Sequence, residues 1–364
     1  MAEESIEALV GKFRNALRSR PDYPQRLLEL AAVVAQKQGL LAAFELCREA
    51  IAESNGNPEV EVRAQRLASG LVSPYHVRMM NDPARTAAWD RALTRAVLPG
   101  SHVLEIGTGG GLLAMMAARA GAARVTTCER DPVLAELARE IVAINGFADR
   151  IAVIAKRSED LVVGVDLERP AELLFGDIFG TDLLNFEPLA AIADARQRLL
   201  IPGAGAVPSF ATISLALAHW RGYGSIARID RVDGFDFGPF QRVLPSDFTL
   251  GIDDPELTLQ SDPAIAFRFD FCALAAPEAE RTSVLLKASA DGTVTGIVQW
   301  INLQLDRDTP LETRPGEGTR YFMGCRFYPL RAPLELRKGD TLKVGAAHDG
   351  RRPIVWLYGR VGGA

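Results

Sequence analysis

The chain has four cysteines, Cys47, Cys128, Cys272 and Cys325, far apart and with no CxxC pair among them. That spacing excludes a disulfide framework and a structural zinc site, and it predicts a reducing, cytoplasmic setting. Long apolar runs are also missing. Charges break every hydrophobic stretch well short of a membrane span, and the opening MAEESIEALVGKF lacks the pattern of a secretory signal, so no membrane association is expected. Positive charge is in slight deficit. A net charge of −5 argues against a broad nucleic-acid-binding surface and suits a cationic or neutral substrate better than an acidic one. His76, His219 and His348 do not cluster in sequence, and no metal site is expected.

What is present is length and ordinary globular composition: 364 residues, 48% hydrophobic and 24% charged. Such a chain is too long for one compact core and divides into two or three domains. Residues 5 to about 70 read as helices. Leu27, Leu28, Ala31, Val34 and Ala35 share one helical face, and Leu40, Ala43, Phe44 and Cys47 another, with Gly39 between them. This segment (residues 1–70) fits a single tetratricopeptide-like repeat or a helical cap on the next domain. Pro83 opens a further helix behind Asn81 or Asp82. Strand and helix patterns then alternate: strands at 102–106, 124–128, 151–155 and 171–175, helices at 112–120 and 132–144. The alternation predicts an α/β, doubly wound parallel sheet over residues 71–204. After Pro202-Gly203 helical periodicity fades. Short β-rich segments (211–217, 267–271, 283–286, 293–305, 321–328, 341–346, 354–358) predict an antiparallel barrel or sandwich over 205–364, with glycine-rich residues 220–250 as an insertion.

VLEIGTGGGLLAMMAA is a strand, a glycine turn and a helix, with Gly107, Gly109 and Gly111 in GxGxG spacing. Dinucleotide enzymes share such a turn. Two acids point elsewhere. Glu105, two residues before Gly107, would repel a pyrophosphate but can accept hydrogen bonds from an ammonium group. Glu129 ends the second strand, 18 residues after Gly111, where a carboxylate can take both ribose hydroxyls. The ligand that combines a ribose with an α-ammonium and carries no phosphate is S-adenosylmethionine (AdoMet). The alternatives are a solvated turn acid at Glu105, a helix-start acid at Glu129, and a dinucleotide site.

From about Tyr75 to Tyr358 the chain resembles the protein arginine methyltransferases, most closely the members with two tandem modules, although one module is present here. The resemblance is carried by MMNDPARTAAW, VLEIGTGGGLLAMMAARAGA, CERDPVLAELAREIVAINGF, AKRSEDL, GDIFGTDLL, VLPSDFTL and VQWINLQLD. It implies a Rossmann-like AdoMet-binding domain followed by a β-barrel, with a dimerisation arm near 220–250 that meets the partner's Rossmann half in a homodimer. It implies that Arg85 grips the AdoMet carboxylate, that Met79 packs near the methyl group, and that Ser158 and Glu159 lie beside the adenine. The substrate implied is an arginine or another guanidine, in a peptide or a small molecule. The family holds that group between two glutamates nine residues apart in one loop. Here Asp177 stands at the first position and Phe186 nine residues on, with Glu187 one step later and Asp182 a further candidate. Where the family carries a His-Trp pair closing the pocket, TRYFMGCRFYPL places Tyr321 and Phe322. The expectation is an arginine-directed N-methyltransferase. The alternatives are an AdoMet enzyme of this fold acting on another small nucleophile, and a non-catalytic AdoMet-binding scaffold.

Overall fold

A computed structural model describes residues 6–37, 39–276, 278–316 and 323–361, with the side chains of Glu7 and Leu9 excepted. The first four helices, α1 (Ile6–Leu17), α2 (Tyr23–Gln36), α3 (Leu40–Ala52) and α4 (Pro58–Ser69), enclose a core of their own built on Leu27, Leu28, Ala31, Val34, Leu46 and Ala64. Gly39 is required at the α2–α3 turn, since a Cβ there would come within 2.8 Å of Val34. The bundle packs through α3 against the later helix α8 (Pro132–Ile144), where Arg48 pairs with Glu140.

Helix α5 (Tyr75–Met80) and helix α6 (Pro83–Ala96) lead into the α/β layer. Asp82 caps α6 by accepting from the Arg85 N–H at 2.9 Å, and Pro83 fills the first turn, where a missing N–H costs nothing. Five parallel strands follow: β1 (His102–Ile106), β2 (Arg124–Cys128), β3 (Ile151–Ile154), β4 (Ala171–Phe175) and β5 (Leu200–Val207), in the order β3-β2-β1-β4-β5. Helices α7 (Leu112–Ala120), α8 and α9 (Pro188–Arg198) connect them. The strand order reverses between β1 and β4. In open sheets of this kind the ligand crevice lies beyond the carboxyl ends of the strands at that reversal.

Strand β5 runs to Val207, past the domain boundary expected at 204, and passes straight through Pro202-Gly203. It is an edge strand, its register to β4 shifts between Ala171 and Leu173, and Ile201 to Gly203 are exposed, so a proline breaks no ladder bond there. Beyond it the chain is antiparallel. Strand β6 (Phe210–Trp220) pairs with 292–306, which pairs with 325–336, and 257–259 and 264–270 line the other side of β6. Strands 280–287, 341–348 and 353–361 form a second sheet. The strand expected at 321–328 begins at Cys325 and continues to Leu336. Its second half is largely exposed, which erases the apolar signal there. The glycine-rich insertion forms a short helix (Tyr223–Ile226), a hairpin (231–232 with 235–236) and a 3-10 segment (Gly238–Val243). No described helix is long and apolar enough to cross a membrane.

Candidate active site

The carboxyl ends of β1, β2 and β4 converge on one place. Gly107, Gly109 and Gly111 all have positive φ, at 83°, 51° and 80°. A Cβ on Gly107 would come within 2.6 Å of Ile178, so the turn passes this close only as glycine. Helix α5 lies over the turn. A Cβ on Gly109 would sit 3.9 Å from both His76 Nδ1 and Met79 Cε, which puts Met79 at the mouth of the cradle.

Glu105 is fully buried at the end of β1. Thr127 donates to its Oε2 at 2.5 Å, and Thr108 in turn donates to Thr127 at 2.6 Å. Its Oε1 has no hydrogen-bond partner among the described residues. Burial raises the carboxyl pKa to about 8, against the Thr127 hydrogen bond and the nearby Arg85 charge, which lower it; the Glu129 charge adds to the rise. A buried carboxylate with one open oxygen is costly unless a cation reaches it. An α-ammonium supplies both the charge and the N–H donors. Glu129 is nearly buried; its Oε2 accepts from the Gly109 N–H at 3.0 Å and its Oε1 from the Asp131 N–H at 2.9 Å, which fixes the carboxylate against the glycine turn. Ser158 is buried, and its hydroxyl donates to Glu159 Oε2 at 3.2 Å. Burial pushes the Glu159 carboxyl up, but the Arg157 hydrogen bond at 3.0 Å, with further hydrogen bonds and the Arg157 charge, outweighs it and holds the group below its usual range. This set of residues fits AdoMet: a carboxylate for the ammonium, a second at the ribose position, and no cluster of cations for phosphates. Among the described residues no group of histidine, cysteine and acid side chains could hold a metal ion.

Arg85 points inward and its Nε donates to Asp177 Oδ2 at 2.6 Å, with both side chains almost fully buried. Asp177 lies two residues beyond the end of β4, so this pair ties α6 to the start of the loop 176–187. The loop is compact. Leu183 N–H donates to the Gly180 carbonyl at 2.9 Å, and Asn185 lies so close over Gly180 that no Cβ could be placed there. Leu183, Phe186 and Glu187 have positive φ, at 73°, 73° and 60°, and these turns flank Asn185. Asp182 faces inward, but its Oδ1 accepts from the Leu184 and Asn185 N–H groups at 3.1 and 2.8 Å. It shapes the loop and is not directed at a substrate. Phe186 is exposed, under the guanidinium of Arg130. Glu187 is 40% exposed and accepts from Arg351 Nε at 2.9 Å.

The two loop acids are therefore both matched to guanidinium groups of this chain, Asp177 to Arg85 and Glu187 to Arg351, and are not turned together on one point. Tyr321 and Phe322 lie outside the described residues. Two further residues, which lie in the quoted segments VQWINLQLD and TRYFMGCRFYPL but are not singled out there, support the loop from the antiparallel domain. Buried Gln299 donates to the Asp182 carbonyl at a long 3.4 Å, and buried Tyr328 donates to Gln299 Oε1 at 2.7 Å. His219 is half-buried. His348 is buried against Phe267 and Phe269, away from the cradle.

Residues 86–202 match the family described as ribosomal protein L11 methyltransferase (PrmA). The chain is 34% identical to the arginine N(omega)-methyltransferase of Streptomyces achromogenes subsp. streptozoticus over 77% of each chain. It is 33% identical to protein arginine N-methyltransferase 7 of Oryza sativa subsp. indica over 65% of this chain and 36% of that one, so it spans about a third of the length of that relative. Among solved structures it superposes on the Trypanosoma brucei PRMT1 enzyme-prozyme complex with AdoHcy, with a TM-score of 0.71, 24% identity and coverage of 81% of this chain and 96% of that one. It also superposes on Arabidopsis thaliana protein arginine methyltransferase 10, with a TM-score of 0.64, 19% identity and coverage of 80% and 98%.

Proposed function

This chain belongs to the protein arginine methyltransferase family, and we propose that it transfers a methyl group from AdoMet to a guanidine nitrogen of arginine. One observation carries the substrate reading: the loop that follows β4 presents two carboxylates, and each is engaged by a guanidinium, Asp177 by Arg85 and Glu187 by Arg351. AdoMet, when bound, supplies an electrophilic methyl on its sulfonium. The rest falls to the chain. Glu105 would hold the ammonium and Glu129 the ribose hydroxyls, with Arg85 toward the carboxylate and Ser158 and Glu159 toward the adenine. Met79 would pack against the methyl end. An arginine side chain is a poor nucleophile, because its pKa exceeds 12 and its charge is delocalised. A carboxylate that accepts from two of its nitrogens localises that charge and leaves the third free to attack in line.

In this site Glu187 takes that part, once the incoming guanidinium displaces Arg351. Asp177, one methylene shorter than a glutamate and held by Arg85, sets the floor of the pocket. One proton leaves for each methyl transferred, and the Glu187 carboxylate is the acceptor at hand. The guanidine is the group recognised, whether on the free amino acid or in a polypeptide. We further propose that the antiparallel half closes as a barrel and that the enzyme is a cytoplasmic homodimer. In support, the insertion exposes Ile226, Phe235, Phe240 and Val243, an apolar arm suited to a second copy, and all four cysteines are free. The test is mass spectrometry with methyl-labelled AdoMet, offering L-arginine, an arginine-containing peptide, and lysine and histidine controls. Label on a guanidine nitrogen supports the proposal. Label only on a non-guanidine acceptor, or on none, contradicts it.

A further inference from the structure

The second antiparallel sheet has one face in the core and one in solvent. Leu286, Leu342, Val344 and Ala346 are buried on the inner face, with Val284, Val355 and Leu357 packed against them. The outer face reads differently. Strand 280–287 presents Arg281, Leu285 and Lys287, all exposed, and Lys343 projects from the central strand opposite Leu285. Strand 353–361 adds Ile354, Trp356 and Tyr358. Trp356 lies flat over Gly345, where a Cβ would come within 2.2 Å of its ring. Arg281 sits 4.9 Å from the centre of the Trp356 ring, and Lys343 5.1 Å from that of Tyr358. None of the three cations forms an ion pair among the described residues. No acid stands among the side chains of this face, in a protein whose net charge is −5. Leu285 and Ile354 are each 60% exposed and Tyr358 54%.

Among the described residues, strand 353–361 is hydrogen-bonded on one side only, to 341–348, so its outer rim offers backbone donors and acceptors to an added strand. The turn that joins these two strands carries Arg351, the residue held by Glu187 at the substrate loop. The face therefore begins beside the proposed active site and runs away from it.

We propose that this face docks an acidic, extended segment of a partner polypeptide. Arg281, Lys287 and Lys343 supply charge complementarity, while Trp356, Tyr358, Leu285 and Ile354 supply the apolar centre that protein interfaces favour. The chemistry selects polypeptide over single-stranded nucleic acid on two counts. Nucleic-acid platforms need open ring faces for base stacking. Here the two rings meet edge to face at 5.7 Å and each is covered by a cation. The exposed aliphatic side chains also give a base nothing to stack on.

The inference stands apart from the methyl-transfer reading, and its test is a binding measurement. The full chain is titrated into a fluorescein-labelled, glutamate-rich peptide containing leucine and followed by anisotropy at low salt and at higher salt. Saturable binding that weakens with salt is expected. The double variant Arg281→Glu/Lys343→Glu should weaken it at least about tenfold, a loss of about 1.4 kcal/mol, and leave the thermal shift with AdoMet unchanged. Absence of peptide binding by the unmodified chain overturns the proposal. So does binding that the double variant leaves intact, or tighter binding of labelled oligouridylate to the same face.

Discussion

Glu105 makes the cofactor reading measurable in protons. Its buried carboxyl has a pKa of about 8, raised from 4.5 chiefly by burial. The sign follows from linkage. The folded chain retains a proton that the unfolded chain gives up, so stability without ligand falls as pH rises from about 4.5 to about 8, by at most about 5 kcal/mol at 1.36 kcal/mol per unit. An ammonium ligand binds the ionised form. With that pKa above 7, most of Glu105 carries its proton at pH 7, so binding should release a proton into the buffer. Isothermal titration calorimetry of S-adenosylhomocysteine at pH 7, in buffers of different ionisation enthalpy, reads that number directly. Glu105→Gln should abolish the release and weaken binding, and it should raise the stability of the ligand-free protein above pH 8. A heat independent of the buffer in the unmodified protein would refute the assignment of Glu105 to the ammonium.

Three other outcomes follow from the same site. AdoMet at 100 times its Kd should stabilise the fold by about 2.7 kcal/mol, and Glu129→Ala should remove most of the thermal shift; an unchanged shift would remove Glu129 from the ribose position. Arg351→Gln should free Glu187 and lower KM for arginine with kcat little changed, whereas a raised KM would mean that Arg351 helps to bind substrate. Replacing Phe235 and Phe240 with aspartate should convert a dimer to a monomer in light scattering; a monomer before the change, or a dimer after it, would count against the arm.

Legibility in the sequence tracked how local each signal was. The glycine turn, the two strand-end acids and the helix start at Asp82-Pro83 each lie within a few residues, and the strand-helix alternation of the parallel sheet follows from periodicity alone. The ion pairs at the loop after β4 are not visible in the sequence. Arg85 meets Asp177 from 92 residues away within the parallel-sheet domain, and Glu187 meets Arg351 of the antiparallel half, so neither pair has a spacing to read. The same holds for Gln299 and Tyr328 beneath Asp182. Strand β5 was hidden by Pro202-Gly203, residues that mark a break unless the strand lies at a sheet edge. The glycines of residues 220–250 mark an irregular stretch in the sequence, but its apolar exposure is a property of the folded chain.

In the proposed reaction a loop carboxylate of this chain orients the guanidine for methyl transfer. Glu187→Gln keeps the shape of that side chain and removes its charge. The direct measurement is single-turnover methylation of an arginine substrate by the unmodified protein and by Glu187→Gln, each saturated with AdoMet, with the AdoMet thermal shift recorded alongside. The rate in the variant should be lower by roughly 10²-fold, with the thermal shift unchanged, if Glu187 has this role. A variant that methylates arginine at the unmodified rate would contradict it.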